Sequence, residues 1–318
     1  MAITQINLET GASRELAFAA PKPVAPAGSI VWLDVFAPGE DDLQWLAREY
    51  AFHPLALEDC RHFEQRAKVE EYDGYLFLSL NAVVRRAGDL HAQELEAFLG
   101  VDYVITLHRE PLAALDTMRA RCVSDHRTGN FRADFMFYQI ADQIVDAIFP
   151  LLDAVEDEID DLEDQVLAQP SQEMLQHIFT LKRQLVELRK IVGPMRDALD
   201  SLADVRYEII DPRTALYFRD AYDHLVRIHD LIETSRDLLG NALDAYLSSV
   251  SNRLSEIMKR LTLLTTIFMP ISFLVGFGGM NFTQWIPFDS GVAFGVMIAL
   301  LMLVPSAMEL WFRRSKWM

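Results

Sequence analysis

Eleven positions in the last third of the chain share a spacing that could line a path for an ion: Asp244, Ser248, Ser251, Ser255, Met258, Thr262, Thr265, Met269, Ser272, Gly276 and Gly279. Their steps alternate four and three, a 3.5-residue repeat that keeps them on one stripe of an α-helix. A coiled-coil seam would carry Leu and Ile at these places, whereas this one is small, polar or Met. Two readings stand side by side. Small residues let helices approach closely in a membrane. Alternatively, identical helices ring an axis and the stripe lines a water-filled path, its oxygens turned to the ion, its methionines narrowing it and Leu261 forming an apolar constriction.

Other chemistry is sparse. No GxxxxGK[ST], GxGxxG or HExxH run occurs. His53, His62, His91, His108 and His126 are scattered without metal-ligand spacing and read as ordinary histidines. Asp220, Asp223 and His224 fall at i, i+3 and i+4, on one helix face. They read as a solvated face, with Asp223 pairing Arg227; a place in a gate is what the resemblance given below implies for them. Seven carboxylates between Glu156 and Asp164 read as a solubilising face and equally as a field that concentrates cations. An enzyme is not expected.

The elements that would position the stripe are membrane helices. From Leu261 to Gly279 there are 19 residues without a formal charge, enough to cross a hydrocarbon core of about 30 Å. An eleven-residue loop, Asn281 to Gly291, precedes a second apolar run from Val292 to Trp311. Lys259 and Arg260 lead into the first run, Arg313, Arg314 and Lys316 follow the second, and the loop has no Lys or Arg. The positive-inside rule therefore puts both ends in the cytoplasm and the loop outside. The expected spans are about 261–280 and 292–312. Upstream, a helix starting near Pro212 shows no breaker before Gly240 and resumes at once, so a single helix to Gly279 is expected.

With 318 residues there is room for one well-cored soluble domain beside the helices. The net charge of −18 argues against nucleic acid, which wants basic faces, and suits a cationic partner. Cys60 and Cys122 offer no disulfide framework, and the N-terminus has no signal-peptide pattern. Residues 1–28 read as a lead-in to the first strand, ending in PKPVAPAG. Strands are expected at Ser29–Phe36, Tyr75–Val84, Gln93–Gly100 and Tyr103–Arg109, with RRAGD (Arg85–Asp89) as a turn. GEDDLQWLAREY, HPLALEDC and PLAALDTMRAR read as helices, the last with Pro111 in its first turn. A mixed sheet with helices packed on it is expected over 1–130. Helices follow over 131–260, one running through Phe135–Leu167 and one from the Ser171 cap, and the hairpin occupies 261–318.

Several of these stretches resemble the CorA family of divalent-cation transporters. Gly279-Met280-Asn281, closing the first span before a short loop and a second span, looks like that family's GMN signature. YLSSVSNRLSEIMKRLTLLTTIFMPISFLVGFGGMNF, RDAYDH at Arg219–His224, HPLALED at His53–Asp59 and the tail RRSKWM add to it, so the likeness spans almost the whole chain. It implies a funnel-shaped homopentamer in the bacterial inner membrane, with an α/β cytoplasmic domain, long stalk helices and the first spans around one pore. It further implies passive uptake of a divalent cation, Mg²⁺ foremost with Co²⁺ or Ni²⁺, gated by internal divalent ions. A ring of Asn281 carbonyls would hold the hydrated ion. Asp220 would share a regulatory ion with a neighbouring α/β domain, with Asp89 as the partner carboxylate. The loop FTQWIPFDSG departs from the family's MPEL-like loop, and Gly278 stands where many members carry Tyr. A Zn²⁺ transporter of the ZntB branch is thus an alternative, although GMN is intact here and commonly varied there. A membrane sensor without transport is the alternative of another class.

Overall fold

The computed structural model describes residues 3–6, 13–16, 20–25, 30–63, 65–86, 88–124, 132–168, 170–280 and 291–314. Seven strands form one mixed sheet: β1 (Ile3–Ile6), β2 (Ser13–Glu15), β3 (Val31–Phe36), β4 (Lys68–Tyr72), β5 (Tyr75–Arg86), β6 (Asp89–Leu99) and β7 (Tyr103–His108). Their order is β2-β1-β3-β7-β6-β5-β4, with β3 and β7 parallel and every other pair antiparallel. Alternation along each strand sorts side chains to two faces. Trp32, Leu76, Leu78, Leu80, Leu95 and Leu99 enter one core, while Leu33, Val35, Phe77, Phe98 and Ile105 enter the other.

The second core is covered by α1 (Glu40–Tyr50) and α2 (Pro54–His62). Asp42 closes the first turn of α1 by accepting the Gly39 N–H at 2.9 Å, and His53 Nδ1 accepts from Leu55 N at the start of α2. The first core is covered by α3 (Ala113–Ser124), α4 (Ala133–Asp146), α5 (Phe149–Ala168), α6 (Gln172–Ala203) and the upstream part of α7 (Pro212–Gly278). Ser171 Oγ accepts from Met174 N and caps α6 as its sequence suggests. Asp134, 1% exposed, accepts the Asp211 N–H at 2.8 Å and ties the start of α7 to the start of α4.

Four expectations are corrected and one unexpected strand appears. Residues 1–28 hold two short strands, Ile3–Ile6 pairing antiparallel with β3 and Ser13–Glu15 with Ile3–Ile6. KVEEY is a strand, β4, paired along its length with β5. The helix expected through Phe135–Leu167 is two helices: Pro150 has no N–H for the Asp146 carbonyl, and the chain turns at Ala147–Ile148. Arg85, Arg86 and Asp89 belong to the paired strands, with Arg86 opposite Asp89, and Gly88 before Asp89 takes φ 94°. Pro111 lies before α3 rather than inside its first turn, since the helix opens at Ala113.

The chain divides into two compact units, Met1–Gln165 with Ser171–Leu243, and Val166–Pro170 with Asp244–Met318. The second contains the downstream part of α7 and α8 (Gly291–Arg314).

Candidate functional site: an acidic cluster and an unpartnered membrane helix

Asp142 and Asp146 sit one turn apart on α4, and Asp220 and His224 one turn apart on α7. These helices pack in the first core, so the two pairs meet at its edge. Carboxylate oxygens of Asp142 and Asp146 and a ring nitrogen of His224 all lie within 4.8 Å of one another. His224 Nδ1 is 3.2 Å from Asp146 Oδ1. Burial raises the Asp142 carboxyl above its ordinary range, the Asp146 charge adds to this and His224 opposes it. Asp220 raises it further, and a hydrogen bond from Tyr138 lowers it. The neighbouring Tyr138 hydroxyl is pushed up to about 12, chiefly by burial and then by the charges of Asp142 and Asp220. Two crowded carboxylates with a nitrogen donor among them are a ligand set for a divalent cation.

Of the residues the sequence singled out for a gate, Asp220 is near enough for its charge to raise the Asp142 carboxyl without being one of the three clustered ligand groups, and Asp223 is not among them either. Asp223 is exposed, and Arg227 one turn on lies 5.5 Å from the Phe149 ring centroid. Asp89 is at the hairpin tip, where Gln184 of α6 donates to the Gly88 carbonyl at 2.7 Å and to Asp89 Oδ1 at 3.4 Å. Asp142 and Asp146 escaped notice because their only local signal is an i, i+4 carboxylate pair. Their partners lie some eighty residues away.

Among the described residues three helical stretches are long and apolar enough to cross a membrane: Ala133–Val166, Pro212–Phe277 and Phe294–Arg314. In their most apolar windows 44%, 6% and 0% of residues are buried within the protein, respectively. The first is a core element, since Met136, Phe137, Ile140, Ile144, Leu152 and Ile159 fill the interior. The other two contain the stretches expected to span, and their apolar windows, left uncovered by the rest of the chain, are consistent with membrane insertion.

Every position of the polar stripe from Asp244 to Gly279 is exposed. Thr262 and Thr265 turn their hydroxyl protons inward, donating to the Met258 and Leu261 carbonyls at 2.8 and 2.9 Å. Their oxygens therefore face outward as acceptors. Leu261 and Met269 are exposed beside them. At the end of α7, Gly279 N donates to the Val275 carbonyl and Met280 N to that of Phe277, at 3.0 and 3.2 Å. Asn281 and the loop after it lie outside the described residues. In α8, Glu309 pairs with Arg313, one turn on, at 2.6 Å.

The family model described as CorA-like Mg2+ transporter protein matches residues 27–314. A cobalt/magnesium transport protein, CorA of Thermotoga maritima, is 35% identical over 300 residues, covering 93% of this chain and 86% of its own. A putative metal ion transporter of Bacillus subtilis, YfjQ, is 30% identical over 286 residues, covering 90% and 89%. The solved structure of the complete CorA magnesium transporter from Methanocaldococcus jannaschii superposes with a TM-score of 0.86 at 22% identity, covering 100% of this chain and 99% of that one, which is a likeness of fold.

Proposed function

The chain belongs to the CorA family of divalent-cation transporters, and from that premise we propose that it is a homopentameric channel for passive Mg²⁺ uptake across the bacterial inner membrane, closed by divalent ions from the cytoplasm. It is a transporter and not an enzyme. The observation that carries the finer reading is the downstream half of α7, a helix of small and hydroxylated stripe residues, exposed all along, ending at Gly279-Met280. Such a helix needs copies of itself on one side and lipid on the other. Five copies would bring Ser255, Met258, Leu261, Thr265, Met269, Ser272 and Gly276 around one axis and five Asn281 amides to its mouth. Mg²⁺ gives up water reluctantly, so a ring of oxygen acceptors suits it as a hydrated ion. The membrane potential supplies the driving force, about 2.3 kcal/mol per charge per 100 mV and roughly twice that for a divalent ion. The cytoplasmic placement of both ends rests on the flanking basic residues, and the division at 130 and 260 is part of this reading.

Regulation is assigned to Asp220 with the cluster beside it. An ion seated there would hold α4 against α7, and Asp89 and Asp223 would contribute from a neighbouring protomer. The experiment is Mg²⁺ and Zn²⁺ flux into liposomes, wild type against Asn281→Ala shown by size-exclusion chromatography to remain assembled. We expect Mg²⁺ flux in the wild type and a loss of at least tenfold in the variant. Normal flux in an assembled variant would move selection away from Asn281. Zn²⁺ flux without Mg²⁺ flux would select the ZntB-like cargo, and no flux of either would leave a membrane sensor.

A further inference from the structure

Asp34 of β3 is buried and meets donors on both oxygens. Trp32 Nε1 donates to Thr106 Oγ1 at 3.1 Å, and that hydroxyl donates in turn, at 2.7 Å to Asp34 Oδ1 and at 3.4 Å to the Leu33 carbonyl. Arg119 of α3 donates to Asp34 Oδ2 at 3.2 Å. Each of these groups gives a proton and leaves the carboxyl to accept. His108, 5% exposed at the end of β7, completes the set. Its Nε2 lies 3.1 Å from Asp34 Oδ1 and its Nδ1 2.6 Å from the Glu110 carbonyl. A carbonyl and a carboxylate only accept, so both ring nitrogens must donate, which the imidazolium alone can do. Among the described residues the charged groups facing the ring are Asp34 and Arg119, with Asp116 of α3 3.9 Å beyond Arg119. Leu95 of β6 stands opposite His108 in register, Phe36 meets its ring edge-on at 5.4 Å, and α4 brings Met136, Phe137 and Ile140 to this face of the sheet. The Glu110 carboxylate is engaged by Gln93 and Arg86, both at 2.7 Å.

We propose that His108 is a proton-operated clasp, which fastens the entry of α3 to the sheet while its ring is an imidazolium and releases it when the proton leaves. A neutral ring keeps one of the two bonds. With the proton on Nδ1, a lone pair faces the Asp34 carboxylate; with it on Nε2, a lone pair faces the Glu110 carbonyl. Either arrangement sets acceptor against acceptor in a buried site. The chain from Arg109 to Leu112 leads straight into α3, whose first turn closes with the Leu115 and Asp116 amides on the Leu112 carbonyl at 3.1 and 3.3 Å. That is the segment released. Burial pushes the ring's pKa down, the Asp34 bond and charge and then the Glu110 carbonyl push it up by more, and Arg119 takes back a part. The balance lies above the ordinary 6.5. A basic group with a raised folded pKa stabilises fully below its unfolded value and ceases to as pH rises through the folded one. The clasp is thus closed on the acid side of 6.5 and opens as pH climbs above it. It uses no residue of the transport path or of the acidic cluster, so it stands or falls separately from the transport reading.

The test is hydrogen exchange, read by mass spectrometry on the full-length, detergent-solubilised protein from pH 6 to pH 9, with labelling times scaled to the intrinsic rates. Peptides spanning 110–116 are expected to lose at least tenfold in protection across that range. His108→Gln, which does not titrate, is expected to remove the loss, and Glu96→Gln to leave it in place. Arg119→Gln, at a partly exposed side chain, withdraws a charge that repels the imidazolium, so the loss is expected to move to higher pH. Constant protection of 110–116 across the range overturns the proposal. So does a loss that survives in His108→Gln, one that disappears in Glu96→Gln, or one that Arg119→Gln leaves in place or moves to lower pH.

Discussion

Upstream of Leu243, α7 buries Phe218, Ala221, Leu225, Ile228, Ile232 and Leu239 at three- and four-residue steps, against the sheet-side core. Downstream, the same helix exposes Leu247, Leu254, Ile257, Leu264 and Phe268, and Leu263 is its one buried large apolar side chain. No break in secondary structure marks the change. Helical periodicity thus reports that a face exists and says nothing of what covers it. In the first half the cover is the chain itself. In the second the chain supplies none, and on the proposed reading lipid and other copies do, since apolar surface on this scale is not left in water.

The sharpest way to break the comparison is a pair of truncations. Phe218→Ala should lower the unfolding free energy of the solubilised protein by about 3–5 kcal/mol, because it opens a cavity in a packed interior. Leu254→Ala should change it by less than about 0.5 kcal/mol while weakening assembly, read by light scattering in detergent. Equal losses of unfolding free energy in both variants would mean that the two halves have the same kind of support.

The acidic cluster sharpens the upstream side. A metal held by Asp142, Asp146 and His224 binds the folded protein only, so Co²⁺ at a hundred times its dissociation constant should add about 2.7 kcal/mol, seen as a rise in melting temperature. A nitrogen ligand favours Co²⁺ over Mg²⁺, so the same concentration of Mg²⁺ should give less. Asp146→Asn with His224→Gln should abolish the rise, and Asp220→Ala should reduce it and relieve inhibition of flux by internal divalent ions. A Co²⁺ response unchanged in the double variant would empty the cluster of its role.

The smallest expected effect concerns Glu96, buried in β6 with Ser79 Oγ on Oε1 at 3.0 Å and no partner for Oε2. Burial, with the charges of Glu94 and Asp59, pushes its carboxyl up to about 8, against the opposing Ser79 bond. A raised acid pKa means that the folded state holds the proton longer than the unfolded one. Stability is therefore lost as pH rises from about 4.5 to about 8, on the order of 2 kcal/mol once local water entry is allowed for. Glu96→Gln should flatten that slope in melts taken from pH 5 to 9, and an unchanged slope would locate the titrating group elsewhere.

Much of this was legible in the chain, for local reasons. Leu76, Leu78 and Leu80 alternate with Tyr75, Phe77 and Ser79, and the uncharged run from Leu261 to Gly279 is long enough to span a bilayer. β1 and β2 are too short, at four and three residues, to rise above their surroundings. Pro150 was visible in the sequence, but its consequence appears at Asp146 and the turn after it. The cluster was legible only in halves, because Asp142 and His224 become neighbours through the packing of α4 on α7 and no spacing rule connects them.

The inward bonds of Thr262 and Thr265 carry one more consequence. With each proton committed to a carbonyl of its own helix, these hydroxyls would offer only lone pairs to an ion on the proposed path. A chloride ion needs donors in place of the water it sheds, and this stretch gives it none. Sign discrimination can thus arise from oriented dipoles alone, in a segment that has no fixed charge and pays no penalty for burying one. Conductance should then reject anions even at ionic strengths that screen the acidic surface.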